Sequence, residues 1–314
     1  MRSQRAVVVA AIALLLLAAC SSDAGTATTG NPVSAASTSS SSSESSSSSS
    51  TAAAPTTRVQ LTGKEYSYAA DSVNGAAPSG DITVPAGPVE VVLNNAGTEE
   101  HQATIVRLND GVSLQQFAAA GASDPTGAAA FKLLTAFGGP NATPAGALNG
   151  STQVLTQPGN YLFACFIPGP DGVPHAAKGM ILPFTVTPPA STQTLTASST
   201  VGANEFSFKV PDKVKSGQLA LTNNGTQAHE LAVYKLADGK TINDARTFLS
   251  TPNPSGPPPY SPNGGIGPIA PGTTATTTIN LDKGSYLFIC FLPDVNGNGA
   301  PHFTKGMLQE VDVS

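Results

Sequence analysis

The chain has 314 residues, of which 11% are charged, and 15 Lys and Arg stand against 20 Asp and Glu for a formal net charge of −5 at pH 7. The sequence contains no basic patch and no interleaving of arginine with aromatic residues, so nucleic acid is not an expected partner. Histidine, cysteine and methionine are scarce, with four, three and three copies in the whole chain. The positions of these ten residues therefore need an explanation.

Residues 1–20 have the features of an export signal. Two arginines precede an apolar run from Ala6 to Ala19, which is too short for a membrane span. The run ends in Leu-Ala-Ala-Cys at residues 17–20, which resembles the lipobox of bacterial lipoproteins. That resemblance implies a lipidated Cys20 and a chain anchored in a bacterial membrane outside the cytoplasm. An ordinary signal with an incidental cysteine is the alternative.

Residues 21–57 are expected to form a spacer between this anchor and the folded part. The stretch 37–51 is almost entirely Ser and Thr, with a single Glu44. Such a composition cannot bury a core, and we predict that the segment is disordered.

The rest of the sequence contains two copies of one pattern, which predicts two domains at residues 58–188 and 189–314. The copies match in four segments: 65–68 with 205–208, 95–102 with 223–230, 159–168 with 284–293, and 174–180 with 301–307. Pro188-Pro189 marks the join between the copies.

Within each copy the pattern is mostly β. Short runs rich in Val, Ile, Leu, Thr and Phe are interrupted by Gly, Pro and Asn, which is typical of a β-sandwich. In copy one this predicts strands at 89–93, 104–108, 161–167 and 181–186. Between the second and third of these strands we expect a helix capped by Ser113 and another over 128–137. In copy two we expect a helix capped by Thr241, and a Pro-rich loop over 252–262 in place of the second helix.

Each copy has one cysteine, at the end of a predicted core strand. Period-two alternation places Tyr161, Phe163 and Cys165 on one face. Cys165 and Cys290 are candidates for small core residues, as most buried cysteines are. A disulfide between them would have to join equivalent strands of separate domains, which is geometrically awkward. A thiolate bound to a metal ion is the other explanation for an unpaired cysteine outside the cytoplasm.

All eight histidine, cysteine and methionine residues that remain beyond the export signal fall at matching positions. A lone histidine is usually a surface or core residue and a lone methionine is usually core filler, but here both recur after the cysteine in a Pro-His-x-x-x-Gly-Met loop. Nitrogen and soft sulfur donors together suit copper in both oxidation states. The candidate ligands are His101, Cys165, His175 and Met180 in copy one, and His229, Cys290, His302 and Met307 in copy two.

This constellation resembles the blue-copper site of the cupredoxins (the plastocyanin and azurin type), and the resemblance covers both copies nearly end to end. It implies two Greek-key β-sandwich domains, each with one mononuclear copper. The two histidines and the cysteine would be the principal ligands, and the methionine a weak axial ligand. The loop from cysteine to histidine has nine intervening residues in copy one and eleven in copy two, longer than in plastocyanin or azurin.

The resemblance leads us to expect one-electron transfer at a membrane surface, with an unidentified redox partner protein. Copper storage or delivery is one alternative, and an interaction module that has lost copper is another. Copper oxidases and nitrite reductases need further histidines for a catalytic centre, and all four histidines are already assigned here. On that argument the chain is not expected to be an enzyme.

Overall fold

The computed structural model describes residues 56–124, 126–188, 193–252 and 254–313. The predicted export signal, Cys20 and nearly all of the 21–57 spacer lie outside these residues. In the part of the chain that is described, no helix is long and apolar enough to cross a membrane.

The amino-terminal repeat (residues 57–187) consists mainly of short strands. Its strands are β1 Thr57–Lys64, β2 Ser67–Val73, β3 Thr83–Pro85, β4 Gly87–Asn95, β5 Thr104–Leu108, β6 Leu134–Ala136, β7 Leu148–Leu155, β8 Gly159–Ala164 and β9 Ile181–Thr187. Its helices are α1 Leu114–Ser123, α2 Ala128–Phe131 and a single 3₁₀ turn at His175–Lys178.

The carboxy-terminal repeat (residues 199–313) follows the same plan. Its strands are β10 Ser199–Asn204, β11 Ser207–Lys209, β12 Gly217–Asn223, β13 His229–Leu236, β14 Tyr260–Ile269, β15 Thr274–Ile279, β16 Gly284–Ile289 and β17 Leu308–Val313. Its helices are α3 Ile242–Ser250 and α4 His302–Lys305.

One eight-stranded sheet runs through both repeats in the order β11-β10-β12-β15-β7-β4-β1-β2. The repeats join where β15 pairs with β7, with Thr276 opposite Thr152. A five-stranded sheet, β3-β9-β8-β5-β6, completes the sandwich of the amino-terminal repeat, and a four-stranded sheet, β14-β13-β16-β17, completes the other. The alternation of buried and exposed residues along β1, with Val59 and Leu61 inward, shows how each sandwich fills its core from one face of each strand.

The all-β prediction of two tandem Greek-key sandwiches with short helical excursions is confirmed. Strands β4, β5 and β9 cover the predicted ranges, and β8 ends at Ala164, earlier than predicted. Both predicted caps are present: Ser113 forms a capping box with Gln116 and Thr241 forms one with Asp244. The domain boundary stays a prediction, because residues 189–192 lie outside the described residues.

Two predicted elements are wrong. The helix expected over 128–137 ends at Phe131, and Leu134–Ala136 forms a strand that pairs with β5. The Pro-rich loop expected over 252–262 gives way at Tyr260 to the ten-residue strand β14. In both cases pairing with a neighbouring strand overrides the local preference of a Pro-, Gly- or Ala-rich sequence.

Candidate metal centres

His101, Cys165 and His175 form the amino-terminal site. Their ligand atoms all lie within 4.8 Å of one another. The two Nδ1 atoms are 3.1 Å apart, and the Sγ of Cys165 is 3.4 Å from the Nδ1 of His175. All three side chains are fully buried. The cysteine directly follows β8, and the second histidine begins the 3₁₀ turn.

His229, Cys290 and His302 form the carboxy-terminal site in the same way. Their ligand atoms also lie within 4.8 Å of one another, and the Sγ of Cys290 is 3.4 Å from the Nδ1 of His302. His229 begins β13, Cys290 follows β16 and His302 begins α4. Both cysteines are free and buried, so no disulfide joins Cys165 to Cys290.

The two methionines lie at the base of the loop that carries the second histidine. The N–H of Cys165 donates to the carbonyl of Met180 at 3.2 Å, and the N–H of Met180 donates to the carbonyl of His175 at 2.9 Å. The corresponding bonds in the other repeat are both 3.1 Å long, and both methionine side chains are fully buried. The backbone therefore holds each methionine beside its site, and axial ligation stays a prediction.

A buried asparagine shapes the loop before the first histidine. The Nδ2 of Asn95 donates to the carbonyls of Glu99 and Thr143, at 2.8 and 2.9 Å, while its Oδ1 accepts from the N–H of Gly97 at 3.0 Å. A Cβ on Gly97 would lie 2.8 Å from the Nε2 of His101, so this close approach requires glycine. Asn223 and Gly225 repeat the arrangement.

Burial controls the protonation of the donor atoms. It raises the pKa of the Cys165 thiol to about 12 and that of the Cys290 thiol well above its usual value. It also lowers the pKa of both His229 and His302 to about 4, so these imidazoles are neutral at pH 7. A cation that binds here would have to displace the thiol proton, and it would find nitrogen lone pairs already free.

The donor set fits copper. Among the described residues, the Nδ1 and Nε2 of His229 are buried without a hydrogen-bond partner, as is the Nε2 of His101. Unpartnered buried nitrogens are uncommon. The Nδ1 of His101 faces the Nδ1 of His175 at 3.1 Å, and a metal ion at the equivalent place in the other repeat would explain the unpartnered Nδ1 of His229. Two imidazoles, one thiol and an adjacent thioether form the soft mixed set that copper prefers, so the two groups fit two copper sites.

Carboxylates beside the histidines were not identified from the sequence. Glu65 accepts hydrogen bonds from the loop at Thr98 and Glu99, which lower its pKa to about 2. Its Oε1 is 3.6 Å from the Nε2 of His101, beyond hydrogen-bond distance, so it acts on that ring through its charge. Glu205 holds the second loop in the same way, through Thr226. The signal was available, because these glutamates occupy matching positions in the two copies.

Two further contacts join the repeats close to the sites. The carboxylate of Glu230, which follows His229, accepts from the Nδ2 of Asn141 at 3.0 Å and from the N–H of Phe291 at 2.8 Å. The hydroxyl of Tyr234 donates to Glu100 at 2.8 Å. Nothing in the sequence pattern pointed to the bond between Asn141 and Glu230 or to the bond between Tyr234 and Glu100, because each pairs residues of different repeats.

No family model and no curated protein sequence matches the chain. Solved structures are similar to it in part. Auracyanin from Roseiflexus castenholzii is 20% identical over 38% of this chain and 99% of its own, with a TM-score of 0.25. A multicopper oxidase is 15% identical over 82% of this chain and 88% of its own (TM-score 0.22). Copper nitrite reductase from Nitrosomonas europaea is 13% identical over 83% and 94%, respectively (TM-score 0.23).

These comparisons contradict the expectation that the chain is not an enzyme, since an oxidase and a nitrite reductase are among the similar structures. The argument from the histidine count was too narrow. It considered one chain and one residue type, whereas a catalytic metal also takes carboxylate and water ligands or residues of a second chain. The number of histidines therefore does not separate copper enzymes from electron carriers.

The fold itself is established by the strand order and by the position of the sites. In each repeat two sheets pack face to face, and the cysteine follows a central strand of the smaller sheet. The His, Cys, His group lies at the end of that strand in both repeats. The chain is thus a tandem of two cupredoxin-like β-sandwiches.

Proposed function

We propose that the chain binds one copper ion in each repeat and uses both ions to transfer single electrons. The observation that carries this proposal is the convergence, twice in one chain, of two buried imidazoles and a buried thiol within 4.8 Å. His101, Cys165 and His175 would hold one ion and His229, Cys290 and His302 the other. Met180 and Met307 would be the weak axial ligands.

Copper supplies a one-electron couple when bound. The protein contributes a site that changes little between oxidation states, because each ligand residue is fixed by its own backbone. His101 forms a two-way backbone pair with Thr143, and the carbonyl of Cys165 accepts from the N–H of Ala176, next to His175, at 2.7 Å. Rigid donors with little rearrangement are what fast electron transfer requires. The thiol proton leaves Sγ when the metal binds.

We further propose that this takes place outside the cytoplasm, on a chain held at a bacterial membrane through lipid on Cys20. The sequence Leu17-Ala18-Ala19-Cys20 and the Ser-rich spacer support this proposal. The redox partner would be another protein that reaches the same membrane surface.

The test is copper loading of the full chain, after any zinc has been exchanged, with metal analysis and a visible spectrum. We expect two copper ions per chain and an intense thiolate-to-copper charge-transfer band. Cys165→Ser should remove one ion and part of the band, and a double variant with Cys290→Ser should remove both. Cys20→Ser is the matched control and should keep both ions.

Each contrary outcome has a definite meaning. A single ion bridging the repeats, or no copper after loading, would overturn the proposal. Only weak, ordinary cupric absorption would show that the thiolates do not bind the metal. Tight cuprous binding without a reversible redox couple would favour storage or delivery over electron transfer.

A further inference from the structure

The outer nitrogen of the second histidine meets a different group in each repeat. In the amino-terminal site the Nε2 of His175 is 2.8 Å from a carboxylate oxygen of Glu99. In the carboxy-terminal site the Nε2 of His302 is 3.4 Å from the amide oxygen of Gln227. Glu99 and Gln227 occupy equivalent positions, each two residues before the first histidine. One histidine therefore donates to a charged acceptor, and the other donates to a neutral acceptor over a longer distance.

The amide oxygen of Gln227 is also shared. It accepts from the N–H of Val295 at 2.9 Å, and the amide nitrogen of the same side chain donates to Asp294 at 3.1 Å. The Glu99 carboxylate instead receives the Tyr66 hydroxyl on its other oxygen, at 3.2 Å. Phe206 replaces this tyrosine in the second repeat. The carboxylate is thus held in place on His175 by a second bond.

Most of the other charges near the two sites occur in both repeats. Each site has a lysine paired with an aspartate, Lys178 with Asp171 and Lys305 with Asp294. Each site also has a glutamate beside the first histidine, at 65 and 205.

Glu100 and Glu230 are unmatched carboxylates, one beside each site, because Ala228 and Gln102 occupy the equivalent positions, and burial raises the pKa of both to about 7. Glu99 is the carboxylate that contacts the outer nitrogen of a ligand histidine, and the residue equivalent to it in the other site is the neutral Gln227.

We propose that Glu99 makes the two sites unequal, so that the amino-terminal site has the lower reduction potential and a single electron added to the protein settles in the carboxy-terminal site. This inference rests on the proposed function. A carboxylate bonded to the outer N–H of a ligand histidine increases the electron donation of that ring, and its negative charge stabilises the cupric ion more than the cuprous ion. One electron then leaves the first site and enters the second, with no bond made or broken.

The test uses the copper-loaded full chain and its single-site variants in redox titrations. In Cys290→Ser the titration measures the potential of the amino-terminal site alone. In Cys165→Ser it measures the potential of the carboxy-terminal site alone. We expect the amino-terminal site to have the lower potential, by at least about 59 mV if the electron favours the other site tenfold. Equal potentials, or the reverse order, would overturn the inference.

Isosteric exchanges identify the residue responsible. Glu99→Gln keeps one oxygen acceptor for His175 but removes the charge and the second acceptor that Tyr66 uses, so it should raise the potential of the amino-terminal site. Gln227→Glu should lower the potential of the other site, and the double exchange should reverse the order. Glu90→Gln, at a remote carboxylate paired with Arg58, is the control and should move neither.

Failure of this inference is distinguishable from failure of the proposed function. If the charge-transfer bands are absent, the proposed copper sites are wrong and the comparison of their potentials does not apply. If both bands are present and Glu99→Gln leaves the potential unchanged, copper is bound as proposed but Glu99 does not determine the order.

Discussion

In both repeats a buried thiol that follows the same core strand faces the Nδ1 of a histidine at 3.4 Å. Around these matching interiors the two sites differ: a carboxylate contacts the outer nitrogen in one, an amide in the other. The interior is constrained because three fully buried side chains have to converge on one point. The rim of each site, meaning Glu99 in one and Gln227 in the other, can change without disturbing that geometry. Its charge still acts on the buried ligands, so we expect the two sites to differ in reduction potential.

The cores show the same combination of likeness and difference. Phe163 and Phe288 are equivalent residues, both fully buried, two positions before the cysteine. Phe163 stacks on Phe184, with ring centroids 4.3 Å apart and planes at 16°. The position equivalent to Phe184 in the second repeat is Val311. Phe184 lies opposite Tyr161, and Val311 lies opposite the equivalent Tyr286. The first core therefore has an aromatic pair that the second lacks.

The largest expected effect comes from truncating these two phenylalanines. Phe163→Ala and Phe288→Ala should each lower the free energy of unfolding by about 3–5 kcal/mol. The first should cost more, by roughly 0.5–1.5 kcal/mol for the lost aromatic pair. Chemical denaturation monitored by circular dichroism measures both. Leu148→Ala, at an exposed position, is the control and should change little. Equal losses in the two variants would show that the stack adds nothing beyond burial.

Local signals in the sequence predicted much of this fold. Helices α1 and α3 were predicted because Ser113 and Thr241 are good N-cap residues, and in the structure each cap is completed by a residue three positions later. The inward face of the cysteine strand followed from simple alternation. The two ligand groups were found because rare residue types recur at matching positions. In each case the determining interactions lie close together in the chain, or are repeated in it.

The rest depends on contacts between distant residues. Strand β14 contains Gly264 and Gly265, which do not favour a strand, but β13 pairs with it on one side and residues 137–142 of the other repeat lie on the other side. The join of β7 with β15 is likewise set by packing of the repeats against each other. In the sequence, nothing distinguishes Glu99 from an ordinary polar loop residue. Only the fold brings it to His175.

The second prediction concerns that join between the repeats. Asn141 is buried and donates to Glu230, so Asn141→Ala leaves a buried carboxylate oxygen without this donor. We expect a loss of about 1–3 kcal/mol in unfolding free energy. Because the eight-stranded sheet crosses both repeats, unfolding should remain a single transition. Asn263→Ala, which removes an exposed hydrogen bond, is the matched control. Two separate transitions in the Asn141 variant would show that the repeats are held together mainly by this contact.

Replacing the methionines should give the smallest change in stability. The same variants also test most directly whether the interiors of the two sites are alike. Leucine is close to methionine in volume, so Met180→Leu and Met307→Leu should each cost less than about 1.5 kcal/mol. If the thioether is a weak axial donor, copper stays bound by the two histidines and the cysteine. The potential of the altered site should then rise, because a weaker axial donor favours the cuprous ion. Voltammetry on each single variant measures the shift.

The direction of these shifts separates the interior from the rim. Since the interiors match, each methionine variant should raise the reduction potential of its own site and leave the potential of the other site unchanged. The exchanges at the rim, by contrast, should shift the two reduction potentials in opposite directions. Glu99→Gln removes a charge from one site, and Gln227→Glu adds a charge to the other. An unchanged potential after Met→Leu would mean that the methionine is core packing, and the likeness of the two sites would then rest on three ligands in each.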